Sequence, residues 1–342
     1  VSAAHAVFDL RNASPFPATL IPGLDKDGVD NLSVLVKATY KLVPGKAPEI
    51  APEQVPPVMA DVHHGDDPAT SSVKYQSDAC PTKPGTDVVV VGKAYARAGR
   101  VPQLDASLEV GPIRKTVRVF GDRAWARAMG WVQSKPLPFE EMPLLYERAF
   151  GGWDRSNPDP ARHGGDDRNP VGMGFAAANR RERLEGLRLP NLEDARQLIA
   201  DWNTRPPVAG FGFIGAGWLP RRTLAGTYDA SWEEKRAPLL PDDFDPRFFN
   251  GAPADQVVAP HLRGGEPVRL RGVSRAGDLA FTLPKLAFEI VLSIRRDIVT
   301  TAPVLDTVLI EPDDARLVLS YRVTVPCPRK LAHVEAISVK QR

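Results

Sequence analysis

Between residues 32 and 43 apolar and polar side chains alternate. Val34, Val36, Ala38, Tyr40 and Leu42 fall on one face, and Ser33, Leu35, Lys37, Thr39 and Lys41 on the other. A period of two predicts a half-buried strand, and Pro44-Gly45-Lys46 predicts the turn that ends it. Asp87–Tyr95 carries four consecutive valines, the pattern of a strand buried on both faces. Leu108–Val110 and Lys115–Phe120 flank Gly111-Pro112 and predict a hairpin. Residues 61–86 are polar and turn-rich.

From about 134 to 265 the alternation fades into recurring Pro, Gly, Asn and Asp. Three short helices are expected there. Ala176–Gly186 is rich in helix formers. Asn191 is placed to cap Leu192–Trp202, whose Leu192, Ala195, Leu198, Ile199 and Trp202 share one stripe, with Glu193 and Asp194 in the first turn. Asp229 is placed to cap a short turn through Trp232. The period of two returns at 266. Val268–Val273, Leu279–Leu283, Ala287–Ile294, Asp306–Glu311 and Arg316–Val325 read as strands, the last two joined by Pro312-Asp313-Asp314-Ala315. No helix-length segment separates them, so antiparallel pairing is expected. The fold class is therefore mainly β, with sandwich-like antiparallel sheets and a long irregular Pro/Gly-rich central insertion. Three parts are expected: a β-rich part at 1–133, the irregular region at 134–265, and a β-rich part at 266–342 packed with the first as one body. A structureless loop of that length is abnormal, so aromatic residues such as Phe150, Trp153, Phe175, Phe211 and Trp218 are expected to give the middle a fixed core.

Composition narrows the function classes. Proline stands at 34 of 342 residues, about twice the usual ~5%, which discourages long helices. The 44 basic and 42 acidic residues leave a net charge of +2 and form no basic stripe, so no nucleic-acid partner is expected. No apolar run is long enough to span a membrane as a helix. The opening VSAAHAVFDL has no basic n-region and carries Asp9, so it does not read as a signal peptide. Cys80 and Cys327 read as two unpaired thiols of a reducing compartment. The expected location is the cytoplasm.

Candidate chemistry is sparse. Gly210-Phe211-Gly212-Phe213-Ile214-Gly215 matches the dinucleotide pattern, but Pro206-Pro207 precede it and Pro220 follows, which leaves no room for the strand and helix that motif needs. These glycines are read as places where the chain bends against aromatic neighbours. His63-His64-Gly65-Asp66-Asp67 holds metal-ligand atoms, yet adjacent residues of a strand face opposite ways, so it is read as a polar loop. Asp154, Asp159, Asp166 and Asp167 lack the spacing of a calcium loop. No spacing selects two carboxylates for a glycosidase, although Trp153, Trp218 and Trp232 suit sugar stacking. No catalytic residue, cofactor or metal is assigned.

Residues 143–175 concentrate paired glycines, prolines, aromatics and both charges. Glu147 and Arg148 are placed to form an ion pair. The stretch reads either as a rigid loop closing a sheet end or as a partner-facing surface. Tyr146-Glu147-Arg148-Ala149-Phe150-Gly151-Gly152, followed by Asn169-Pro170-Val171-Gly172-x-Gly174-Phe175, resembles the signature of the bacterial family called domain of unknown function 2169. Val36-Lys37-Ala38-Thr39-Tyr40, Lys83-Pro84-x-Thr86-Asp87-Val88, Gly121-Asp122-Arg123-x-Trp125, Leu189-Pro190-Asn191-Leu192-Glu193 and Phe248-Phe249-Asn250-x-Ala252-Pro253 extend the likeness along the chain. Gly226-Thr227-Tyr228-Asp229, Pro241-x-Asp243-Phe244-Asp245 and Gly264-Gly265-Glu266 complete the ordered set. Met173 stands where many members carry a basic or polar residue, so no charge-based role is placed there.

The resemblance implies a role. Members resemble cytoplasmic adaptors or chaperones of the type VI secretion system, which bind a toxic effector or its PAAR-type tip and help load it on the VgrG spike. It brings no catalytic residues. The expectation is a bacterial, cytoplasmic, non-enzymatic adaptor that neither binds nucleic acid nor inserts in a membrane. The expected partner surface includes Arg148, Phe150, Trp153, Arg155 and Asn169. The alternatives are a carbohydrate-active hydrolase and a structural component associated with the spike.

Overall fold

A computed structural model describes residues 8–177, 184–327 and 331–342. The alternating stretch near the N-terminus forms the long strand Asp30–Lys41. It pairs antiparallel with Ala18–Leu24 on one side and Arg316–Pro326 on the other. Arg316–Pro326 returns through the Pro312–Ala315 turn from Val304–Glu311, which runs parallel to Thr86–Val90. Val257–Val258 closes that end of the sheet as its outermost strand, and Glu49–Ile50 adds a short seventh.

Two further sheets share its core. One has the order Leu192–Asp194, Ile113–Phe120, Gln103–Val110, Pro267–Arg271, Leu279–Thr282. The other has the order Asp9–Asn12, Val334–Gln341, Phe288–Ile294, Asp297–Thr301. Val34, Val36, Leu108, Val117, Leu270, Ile290 and Ile337, drawn from all three sheets, belong to one buried hydrophobic cluster. Phe288 meets Phe16 and Tyr321 edge-on, with ring centroids 6.0 and 5.2 Å away, and so joins the four-stranded sheet to the seven-stranded one. The protein is mainly β, and its strand pairs are mostly antiparallel.

The predicted strands at 32–43, 268–273, 279–283, 287–294, 306–311 and 316–325 are present within a few residues, as is the hairpin about Gly111-Pro112, where Ile113 faces Val110. Asp229 caps the helix Ala230–Lys235, its carboxylate accepting from the Trp232 N–H at 2.9 Å. Cys80 and Cys327 are buried free thiols.

Three expectations are corrected. Asp30–Lys41 is buried on both faces, because residues 51–83 cover its polar side; there Gln54 bonds the Thr39 backbone and Asp78 pairs with Lys37 at 2.8 Å. The valine strand is two strands, Thr86–Val90 in the large sheet and Lys93–Tyr95 on Glu141–Pro143, with Gly92 at the break. The helix at Leu192–Trp202 does not form. Leu192–Asp194 instead completes the edge of Ile113–Phe120, and Glu193 points inward to Arg123 and the Ile199 N–H. A buried carboxylate needs those partners, and no position in the first turn of an exposed helix supplies them. The expected helix at Ala176–Gly186 falls largely on 178–183, outside the described residues.

The covered face of the large sheet is ionic. A β-bulge at Asp306 turns its carboxylate onto the Arg322 guanidinium at 2.6 Å, both nearly inaccessible. Lys83 reaches Asp87 at 2.8 Å and the Thr307 hydroxyl at 2.9 Å. Burial opposes the Asp306 charge, but Arg322 and Lys83 outweigh it and hold the carboxyl below its ordinary range. A depressed carboxyl stabilises the fold above the unfolded value of about 3.9, and that contribution is lost as pH falls through the folded value. Asp306→Asn is expected to cost about 3–5 kcal/mol near neutral pH by urea denaturation. The gap to the native chain should narrow below about pH 4. A gap unchanged down to acid pH would exclude the ion pair as its source.

Candidate functional site

Residues 146–175 form a crossing of three short strands. Phe150–Asp154 runs parallel to Met173–Gly174 and antiparallel to Gly164–Asp166. The Asn169 side chain sits inside the crossing. Its Nδ2 donates to the Tyr146 carbonyl at 2.7 Å and the Phe150 carbonyl at 3.1 Å, and the Asn169 backbone carbonyl accepts from the Gly152 N–H at 2.8 Å. Gly151 and Gly152 have φ of 147° and 86°. A Cβ on either would lie 2.2 Å from a backbone oxygen, that of Asn169 or Gly172. Both the backbone conformation and the space exclude a side chain.

The single 3-10 turn Tyr146–Arg148 sends its side chains three ways. Tyr146 is buried against Gly210, lies edge-on to Trp218 at 5.6 Å and donates to the Gly212 carbonyl at 3.1 Å. Burial pushes its phenol pKa up. Of the false dinucleotide motif's glycines, Gly210 thus makes room for this ring and Gly215 for Trp218. Glu147 accepts from the Ser72 N–H and hydroxyl, both at 2.7 Å. Arg148 donates to Asn191 at 2.9 Å and lies 3.6 Å from Asp122. Glu147 and Arg148 therefore do not pair, because each is drawn to a different neighbour. Asn191 also donates to Asp122 and to the Phe120 carbonyl. The Tyr146, Asn169, Gly121 and Leu189 motifs, far apart in sequence, form one interlocked structure.

This placement sorts the expected partner residues. Asn169 is fully buried. Phe150 lies in a satellite cluster with Trp125, Ala176, Leu184, Leu189 and Ile199. Neither can meet a partner, which corrects their assignment to the surface. Arg148 is half-buried and engaged in the polar crossing. Trp153 is 50% exposed, and the exposed Arg155 places its guanidinium 5.6 Å from that ring. Trp153 and Arg155 are the pair that reaches solvent together.

Beside the crossing lies a half-open groove of about 660 Å³. Tyr146, Ile214, Leu219, Leu224, Ala252 and Val257 line it with carbon, and Arg168, Arg221 and Arg247 bring charge. Arg168 and Arg247 each make a two-point contact to the aspartate two residues earlier, Asp166 and Asp245. Arg221 differs. It is 8% exposed and gives hydrogen bonds to two carbonyls, Phe248 at 2.9 Å and Ile214 at 2.6 Å. Among the described residues no carboxylate lies within 4 Å of it. Burial pulls its pKa below the ordinary guanidinium value. The groove was missed in the sequence because its walls come from separate loops. The one available signal was Phe248-Phe249-Asn250-x-Ala252-Pro253, which supplies one wall.

A family model described as "Uncharacterized protein conserved in bacteria (DUF2169)" matches residues 27–322. The chain belongs to this family. No curated protein and no solved structure matches it. The DUF2169 match covers the crossing and the groove alike. Among the described residues, no three His, Cys, Asp or Glu side chains converge as a metal site, and no helix is long and apolar enough to cross a membrane.

Asn169→Ala removes the donor that two buried carbonyls share. It should cost about 2–3 kcal/mol in urea denaturation. Trp153→Ala and Arg155→Ala should each cost under about 1 kcal/mol. Equal losses for all three would mean that the Trp153–Arg155 face is also structural.

Proposed function

We propose that this DUF2169 protein is a non-catalytic adaptor of the bacterial cytoplasm. It holds a type VI secretion effector, or that effector's PAAR-type tip, for delivery to the VgrG spike. The observation that carries the reading is the apolar groove beside the family's own motif. Its walls are aliphatic and aromatic carbon edged by guanidinium groups and amides, a surface for burying another chain. The secretion partner comes from the likeness of the motifs to adaptors of that system. Trp153 and Arg155 support the reading as an exposed aromatic–cation pair, of the residue types that dominate binding energy at interfaces. Gly164–Asp166 joins the two features. Gly165 pairs with Trp153, and the same stretch leads to Arg168 in the groove wall.

A hydrolase would need two carboxylates facing one cleft at roughly 5–10 Å. The two aspartates paired with the groove-lining arginines Arg168 and Arg247 are Asp166 and Asp245, and each is held by its own arginine.

Co-expression of the full chain with the effector encoded beside it should yield a co-purifying complex and more soluble effector. Deletion should abolish that effector's delivery. The double variant Trp153→Ala/Arg155→Ala should weaken the complex about tenfold, or ~1.4 kcal/mol, with an unchanged melting temperature. Normal effector delivery from the deletion strain would overturn the adaptor reading.

A further inference from the structure

We propose that the groove takes an extended peptide segment of the partner in which one acidic side chain sits between apolar residues, with Arg221 as the acid's receptor. This rests on the adaptor reading for its biological source, and on the groove alone for its chemistry.

Charge selects a single acid. Arg168 is neutralised by Asp166, Arg247 by Asp245, and the adjacent Arg222 by Asp167 at 2.8 Å. Arg221 is left with two carbonyl acceptors and, among the described residues, no carboxylate within 4 Å; Asp87 and Asp61 act on it only from farther away. A buried guanidinium pays its desolvation whether or not an anion is present, so an arriving carboxylate meets a receptor already stripped of water. Its Nη2 makes no hydrogen bond among the described residues and is the nitrogen left for that carboxylate.

Shape selects an extended chain. A volume of about 660 Å³ also fits small molecules, but the groove does not end there. Across Pro207, Val208, Pro253 and Ala254, which line both, it adjoins a second chamber of about 250 Å³. Lys115 in that chamber is already matched by Asp255 at 2.9 Å and Gln256 at 2.8 Å, so it adds hydrogen-bonding capacity without a free charge. A compact ligand fills one chamber, whereas an extended chain crosses the ridge. Val257, in the first chamber's wall, belongs to the outermost strand of the large sheet. A sheet edge offers backbone groups to an extended segment and to no compact ligand.

The test is independent of any named effector. Random twelve-residue peptides displayed on phage are selected on the full chain, and the enriched sequences are synthesised with acid-to-amide twins. Enriched peptides should carry one Asp or Glu flanked by apolar residues, and the amide twin should bind at least tenfold more weakly. Arg221→Gln should bind acid and amide twins alike. Ala254→Trp, at an exposed position on the ridge, should block both. Arg221 also braces two loops, so its variant is scored only with an unchanged melting temperature; otherwise the twins and Ala254→Trp decide. Peptides that bind without an acid, or that the Ala254→Trp chain captures equally well, overturn the proposal. So does a selection that enriches none. A co-purifying effector alongside any of these results leaves the adaptor reading standing and removes the groove from it.

Discussion

A carboxylate with no access to water must have its charge and lone pairs met by protein, and the placement of Asp87 organises much of this molecule around that need. It is fully buried in Thr86–Val90, next to the outermost strand of the large sheet. Lys83 meets its charge. The Asn250 amide donates to one oxygen at 2.9 Å and the Gly251 N–H to the other at 3.0 Å. Asn250 also donates to the Gly85 carbonyl, so the same amide fastens the strand's entry. The sheet and the turn at 250–251 are held by one ion, and Asn250 and Ala252 are groove wall. Breaking one partner of such a set leaves a charge stranded, so the arrangement fixes one geometry more than it adds stability.

The crossing at 146–175 solves a different problem with similar means. Three extended segments meet at a point too tight for side chains, so Gly151 and Gly152 give way and the single amide of Asn169 serves two carbonyls. A sequence signature this specific is read most readily as an active site. Here its polar groups are spent on backbone and on one another, and its functional consequence is indirect. It seats Tyr146 in the groove wall and presents Trp153 on a rigid strand.

Local pattern made most of the fold legible. The period of two at 32–43 and 316–325, the turn residues between 311 and 316, and the Asp229 cap are short-range statements of backbone preference, and each has its counterpart in the structure. The stretch 191–202 misled because its apolar spacing fits a helix equally well. What decides it is the open edge of Ile113–Phe120 and the buried Arg123, both distant in sequence. The Glu147–Arg148 pairing failed for the same reason, since Ser72 and Asn191 outcompete a chain neighbour by better geometry. The candidate surface was legible only in part. Trp153 and Arg155 reach solvent, but an aromatic such as Phe150 and an amide such as Asn169 carry no sequence mark of which side they face.

The groove shows why a binding surface of this kind escapes motif reading. Its walls are ordinary loop residues, and its distinguishing feature is an imbalance. Asp166, Asp167 and Asp245 quench three of the arginines in and beside it, and each of these contacts has a partner within reach of exposed chain. Arg221 is the most deeply buried of the four and the one without an acid. Carbonyl oxygens stabilise a guanidinium by dipole alone, so the site is held in shape by two hydrogen bonds, while Asp87 and Asp61 act on the charge only from a distance and give it no direct ion pair. Rigid carbonyl anchors keep the cation from rotating away to solvent, which lowers the ordering cost when an anion arrives. Structural anchoring and readiness to bind are properties of different nitrogens on one side chain.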